Sequence, residues 1–394
     1  MSQVGRKEPE MRIAIVTDSY LPTRDGVVVT VITMRKTLEE LGHTVFVIAP
    51  DPGEEYREEG VIYFPATKFK KYPEYFIPIY PSNKREILES LNLDIIHIHG
   101  ITFMALKALI ASHTTHIPTV MTYDTNVVEA MQFYSPLKCV PMDLQIKLAW
   151  IYLRNFLKRP DCIIALTPAT VKDFEDNDIK TRRTEVIPMG IDARRFKEGI
   201  DGSGIRAKYG LSDNRVLIHV GRVSYEKHIE IVVEAMKHLP ADIKLIIVGR
   251  GPAFDFIKNK IDEDGLSDRI MMAGFVPDDE LANYYAAADV AVSASKFETL
   301  GLTVIEAMAC GLPAACANGG AYPHFVKDDY NGYLFEGSPE SCSEAIQKCF
   351  SNRSVLEGGI RQTAIEFSLD TIGRKMIDLF EDIIQKKQDS YKKI

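Results

Sequence analysis

Two short runs constrain the fold more than any other feature of this chain: Met11–Asp18 (Met-Arg-Ile-Ala-Ile-Val-Thr-Asp) and Arg215–Val220 (Arg-Val-Leu-Ile-His-Val). Each is nearly continuous in apolar residues instead of alternating apolar with polar. Such a run suits a strand covered on both faces, as in a parallel sheet with helices above and below. A glycine-bearing loop and a helical pattern follow each one. In the first half, Ser19–Gly26 leads into a helix from Val27 to about Leu41, Gly42 closes it, and Thr44–Ala49 completes a βαβ unit. Asp94–His99, Thr119–Tyr123 and Cys162–Leu166 continue the first half, and Lys244–Gly249 and Asp289–Ser293 the second. The pattern starts twice, so the expectation is α/β in two domains. A length of 394 residues is enough for two cores.

Composition excludes several classes. Net charge is −8, with 46% hydrophobic and 26% charged residues, which disfavours a general nucleic-acid binder. No apolar run reaches the roughly 18 residues of a membrane-spanning helix. The polar start, Met-Ser-Gln-Val-Gly-Arg-Lys-Glu-Pro-Glu, is unlike a signal peptide. The six cysteines include no Cys-x-x-Cys pair and sit in apolar contexts, so they read as reduced core residues of a cytoplasmic protein.

Ser295–Pro313 is the stretch richest in chemistry. A strand-like run enters a loop holding Glu298 and Gly301. A helix is expected from about Thr303 to Cys310, closed by Gly311 and Pro313. In an open α/β sheet, a strand, loop and helix N-terminus in this order attract an anion. A carboxylate in such a loop would repel phosphate, but it suits sugar or ribose hydroxyls, which are donors. The residues alone leave a blander reading open: Thr303-Val-Ile-Glu306 fits a capping box, and Glu298 fits a solvated loop acid. In Gly221-Arg222-Val-Ser-Tyr-Glu226-Lys227-His228, another strand, glycine turn and helix start bring two cations together as an anion cradle. These cations also fit ordinary surface charges.

Elsewhere, Gly26 reads either as a turn glycine or as a point of close approach to a ligand phosphate. The absence of Gly-x-Gly-x-x-Gly disfavours dinucleotide binding. His43 follows a helix-closing glycine and reads as structural. His97 and His99 should share one face of a strand, but no third ligand accompanies them, so a metal site is rejected. Lys68–Arg85 has three prolines and five aromatics bracketed by basic residues, which rules out a regular helix. Asp143–Arg159 places Lys147, Trp150, Tyr152, Arg154, Lys158 and Arg159 on a helical pattern. On an acidic protein these two segments suggest docking on an anionic membrane surface. A loop and an ordinary amphipathic helix packed on the sheet would read the same way.

Glu298-x7-Glu306, with Gly301 between and Ala-Cys-Gly-Leu-Pro after, resembles the signature of retaining, family-4 (group 1) glycosyltransferases of the GT-B fold, most of all their lipid-glycosylating members. Gly-Arg222-x-x-x-x-Lys227 is similar to the family's second signature. Pro188-Met-Gly-Ile-Asp192…Phe196 resembles its exit from the first domain, and the resemblance covers about residues 11–387. It implies two Rossmann-like domains facing across a cleft: an acceptor domain over 11–197 and a nucleotide-sugar domain over 198–368. The Glu198–Gly204 stretch would be the linker, and a final helix over 369–394 would cross back to the first domain. The activity implied is transfer of a hexose from a nucleotide diphosphate sugar to a lipid on the inner face of the cell membrane, with no cofactor and no metal. Arg222 and Lys227 would neutralise the diphosphate, Glu298 would hold the sugar, and Glu306 the ribose. Thr299, Leu300, Gly301 and Leu302 would supply loop contacts, Val276 would lie at the base, and Gly26 near the diphosphate. The family usually has histidine at Asp124, which would contact the transferred sugar; an aspartate there accepts hydrogen bonds but is no neutral donor. A soluble acceptor such as a sugar phosphate, a weakly catalytic nucleotide-sugar-binding regulator, and an epimerase are the competing readings.

Overall fold

The computed structural model describes residues 10–23, 26–69, 72–78, 86, 89–124, 128, 140–296, 298 and 300–391. The chain divides into two units, one of Met1–Pro188 with Gly373–Ile394 and one of Met189–Ile372.

In chain order the first unit holds β1 (Arg12–Thr17), α1 (Gly26–Glu40), β2 (Thr44–Pro50), β3 (Val61–Phe64), β4 (Ala66–Phe69), β5 (Tyr72–Pro78), β6 (Ile95–His99), α2 (Phe103–Thr115), β7 (Thr119–Tyr123), α3 (Met142–Phe156), β8 (Cys162–Ala165), α4 (Pro168–Asp176) and β9 (Thr184–Val186). Seven of these strands form a sheet in the order β3-β2-β1-β6-β7-β8-β9, with every pairing parallel. The apolar runs become buried strands: Ile13, Ala14, Ile15, Ile95, Ile96 and Ile98 have no exposed surface. β4 and β5 make a separate antiparallel hairpin. The basic-aromatic segment at 68–85 thus begins in this hairpin, and its residues 70–71 and 79–85 lie outside the described ones.

The second unit holds α5 (Ser203–Tyr209), β10 (Arg215–Val220), α6 (Ile229–Ala235), β11 (Ile243–Val248), α7 (Phe254–Glu263), β12 (Ile270–Gly274), α8 (Leu281–Ala286), β13 (Val290–Ser293), α9 (Leu302–Ala309), β14 (Ala314–Ala317), α10 (Tyr322–Phe325), β15 (Gly332–Phe335), α11 (Pro339–Ser351) and α12 (Arg353–Glu366). Its six-stranded sheet runs β12-β11-β10-β13-β14-β15, again all parallel. The Glu198–Gly204 stretch, expected as a linker, is held within this unit. Arg361 Nε donates to Glu198 Oε1 at 2.9 Å, and a Cβ on Gly202 would lie 2.4 Å from the Ala286 carbonyl carbon.

α13 (Leu369–Tyr391) closes the chain, and from Gly373 onward it belongs to the first unit. There a Cβ on Gly373 would meet Thr37 Cγ2 at 2.7 Å, Phe380 stands edge-on to His97, and Lys387 pairs with Asp161 at 2.9 Å. This is the crossing helix that the resemblance implies. The chain has two parallel-sheet Rossmann-like domains.

Candidate functional site

Open parallel sheets bind ligands beyond the carboxyl ends of the strands, where the strand order reverses. In the second unit that point lies between β10 and β13. The two suspected motifs follow those two strands, and the fold brings them into contact. Lys227, in the turn Tyr225–Lys227 after β10, places Nζ 2.5 Å from Oε1 of Glu298 in the loop after β13. Both side chains are about one-fifth exposed. A charge-assisted hydrogen bond between half-buried partners is stronger than a surface ion pair and leaves both groups accessible to a ligand. Arg222 lies on the same loop and is exposed.

Backbone geometry fixes this loop. Gly301, the N-cap of α9, has φ +80°, and a Cβ there would lie 2.7 Å from Tyr322 Cε1. Gly320 has φ +56°, and its Cβ would fall 2.9 Å from the Glu298 nitrogen and oxygen. Only glycine meets both demands. Gly320 thus supports the backbone of Glu298. Tyr322 is fully buried and donates to Ser293 Oγ at 2.7 Å, and the nearby Glu298 charge adds to burial in raising its pKa. His219, on β10, is also buried. Burial first, and then the Lys227 charge, depress its pKa to about 4, so it stays neutral beside the site.

The α9 helix begins at Leu302, one residue before the expected start, and Gly301 makes no side-chain cap. The capping-box reading of Thr303–Glu306 therefore fails. Glu306 sits past the first turn, where its Oε2 accepts a 2.8 Å bond from the Tyr285 hydroxyl. Burial raises its pKa to about 7, against the pull of that hydroxyl and of the Arg195 charge. Leu300 points into the apolar core and Leu302 packs against it, so a ligand would meet their backbone. The Val276 side chain is also buried, beside a two-thirds-exposed Phe275. Thr299 lies outside the described residues.

The first unit reverses strand order between β1 and β6. His99, ending β6, places Nδ1 3.1 Å from Oδ2 of Asp124, which follows β7, and the two side chains are 1% and 2% exposed. His97 and His99 share a face as the two-residue period requires, with ring centroids 4.3 Å apart. His97 shares a 2.8 Å bond with the Thr122 hydroxyl. Burial, then the neighbouring His99, push the His97 pKa down. Asp18, after β1, spans the start of α2: Oδ2 accepts from Thr102 N and Oδ1 from Met104 N, both at 2.7 Å. A carboxylate of this chain thus fills that helix N-terminus, a signal legible only once α2 is placed. Gly26 is the first residue of α1 instead of a loop residue, and a Cβ there would meet nothing within 4 Å, so packing within the chain does not require glycine.

Two family models match this chain: Glycosyltransferase Family 4 over residues 24–195 and Glycosyl transferases group 1 over residues 203–365. The α-monoglucosyldiacylglycerol synthase of Acholeplasma laidlawii is 32% identical over 354 residues, spanning 85% of this chain and 87% of its own. The chain belongs to the family-4, group 1 glycosyltransferases. The Streptococcus pneumoniae synthase of the same name is 26% identical to this glycosyltransferase across 95% of its length and 86% of the relative's. The crystal structure of Anabaena HepE in complex with UDP and glucose matches its fold with a TM-score of 0.74 and 20% identity, covering 95% of this chain and all of that one. The fold of the glycosyltransferase is GT-B. No helix among its described residues is long and apolar enough to cross a membrane.

Its α3 helix nonetheless leaves Leu144, Leu148 and Ile151 about half exposed. Their spacing puts them in one stripe, with Lys147 and Arg154 also exposed. α2 does the same with Phe103, Leu106 and Ile110, of which only Leu106 is as little as 37% exposed. The Tyr152 hydroxyl of α3 donates to the Ile101 carbonyl just before α2.

Proposed function

We propose that this glycosyltransferase moves a hexose, with retention, from a nucleotide diphosphate sugar (UDP-glucose or GDP-mannose) to a lipid acceptor at an anionic membrane surface. The observation that carries the reading is the Lys227–Glu298 contact, which joins two motifs 71 residues apart at the sheet's reversal point. Each charge satisfies the other until the donor arrives. The diphosphate then takes Lys227 and Arg222, which stabilise the negative charge developing on the leaving group, and Glu298 is released to accept bonds from the sugar hydroxyls. The amides at Gly301 and Leu302 and the N-terminus of α9 complete the anion cradle. Glu306 accepts from ribose, and the backbone at Val276 reads the base. No second acid flanks the anomeric carbon in this arrangement, so the paired-carboxylate chemistry of glycosidases does not apply.

The second unit would take the donor and the first the acceptor. A lipid acceptor is supported by the names of the two synthases, which specify α-linked glucose on diacylglycerol. The apolar stripes of α2 and α3, bordered by Lys147 and Arg154, suit docking on a membrane's inner face. The test is transfer of label from UDP-glucose and GDP-mannose, in parallel, into the organic phase of lipid vesicles with and without EDTA. Label that survives EDTA supports the proposal and identifies the donor. Label confined to water-soluble product, or nucleotide binding without transfer, rejects the lipid acceptor. Complete loss with EDTA rejects diphosphate neutralisation by side chains alone.

A further inference from the structure

The amino ends of the first sheet hold a second charged site, at the opposite edge from Asp124 and His99. A cavity of about 470 Å³ opens there, lined by Lys158, Arg159, Arg182 and Lys387, with Asp161 as its carboxylate. Thr119 begins β7 and Asp161 immediately precedes β8, so parallel pairing puts both at this edge. Asp161 is fully engaged. Oδ1 takes Arg182 NH1 and Lys387 Nζ, each at 2.9 Å, and Oδ2 takes Thr119 N at 2.9 Å and Lys387 Nζ at 3.1 Å. Burial works to raise its pKa, but bonds from Lys387 and Thr119 and the Lys387 and Arg182 charges outweigh it and hold the pKa below the usual value.

Among the described residues, Lys158 and Arg159 make no such ion pair. They follow the end of α3, and their side chains bond Asn155: Lys158 its side chain at 2.8 Å and Arg159 its carbonyl at 3.2 Å. The lining therefore carries four cations against one carboxylate, a surplus of three. The C-terminal ends of α2 and α3 face this edge and contribute about half a negative charge each. About two positive charges remain uncompensated, on a chain whose net charge is −8. His113, His116 and the Ser112 hydroxyl add further hydrogen-bonding groups to the wall. A cavity of this volume accepts a small organic ligand.

We propose that this cavity binds a phosphate-bearing anion, with Lys158 and Arg159 as the principal contacts and the Arg182–Asp161–Lys387 cluster as a fixed base. The ligand is a free phosphorylated compound or the phosphate of a phospholipid headgroup. The site is separate from the donor diphosphate site and does not depend on it.

The test is calorimetric titration of inorganic pyrophosphate at low salt into three full-length proteins: wild type, K158Q/R159Q and R222Q/K227Q. Lys158 and Arg159 are exposed, so their replacement should leave the thermal midpoint unchanged. The expected result is binding at least about tenfold weaker at one site in K158Q/R159Q, with that site kept in R222Q/K227Q. Equal binding by wild type and K158Q/R159Q, no binding by wild type, or loss of all binding in R222Q/K227Q alone would overturn the proposal. Flotation with phosphatidylcholine vesicles, with and without phosphatidylglycerol, separates the sources. Weaker capture of K158Q/R159Q by the phosphatidylglycerol vesicles assigns the site to a headgroup. Unchanged capture alongside the calorimetric loss assigns it to a free phosphorylated compound.

Discussion

The two parallel sheets finish their central strands differently. At the carboxyl edge of the second sheet, Lys227 and Glu298 meet with about one-fifth of each side chain still accessible. At the same edge of the first sheet, His99 and Asp124 meet almost fully enclosed. Both pairs arise because parallel strands deliver their following loops to one edge. The difference lies in what carries the charge. Lys227 reaches from a turn on a four-carbon stem, and Glu298 sits in a loop propped open by Gly301 and Gly320. His99 is a strand residue, and Asp124 directly follows a strand, with α13 packed over the neighbouring His97. A pair on loops can exchange its internal partner for a ligand. An enclosed pair has first to satisfy itself, because a buried polar group without a partner is costly.

Mutation can break this contrast, and the largest effect is expected at the open pair. Lys227→Ala and Glu298→Gln should each lower the transfer rate about 10²- to 10³-fold, as loss of one electrostatic contact to the reacting groups does. Their double variant should lose much less than the product of the two in the same vesicle assay. At the enclosed pair, Asp124→Ala should act mainly on stability, costing about 1–3 kcal/mol by leaving the imidazole without its partner. Urea unfolding checks this. Asp124→His, which restores the usual family residue, should not raise transfer, because it meets His99 instead of open space. A large gain in transfer would mean that Asp124 faces the sugar and that the wild-type chain is a weak enzyme.

The smallest effect, below about tenfold, concerns Glu306 and its pKa of about 7. Only its ionised form is a pure acceptor for ribose hydroxyls, so nucleotide affinity should rise from about pH 6 to about pH 8. E306Q should flatten that rise, as read by calorimetry. Stability runs the other way. Between the ordinary carboxylate value and about 7 the folded protein holds a proton that the unfolded chain has released, so stability falls as pH rises through that window. E306Q should remove this slope in urea midpoints compared at about pH 5 and about pH 8.

Much of this molecule is legible in sequence because burial on both faces of a parallel strand leaves a local mark. Thr119–Tyr123 and Arg215–Val220 end where the apolar runs end, and α9 lies one residue from its expected place. The Gly-Arg222…Lys227 and Glu298…Glu306 spacings were likewise visible, since each lies within one loop and its helix. Other features depend on residues far apart in the chain. Nothing near Asp124 announces His99, which is 25 positions away. Nothing near Glu306 announces Tyr285, whose hydroxyl bonds the Glu306 carboxylate, or the burial that raises the pKa of that acid against the pull of the bond. Gly320 supports Glu298 from beyond the next strand. The cationic cavity draws on four separate segments, from Leu109 to Lys387. The sequence by itself determined two α/β domains and the residue types at each strand's end, because periodicity and turn chemistry act over a few residues. Only the tertiary structure decided which charges meet, which stay accessible and which are sealed, because distance and burial are properties of the folded chain.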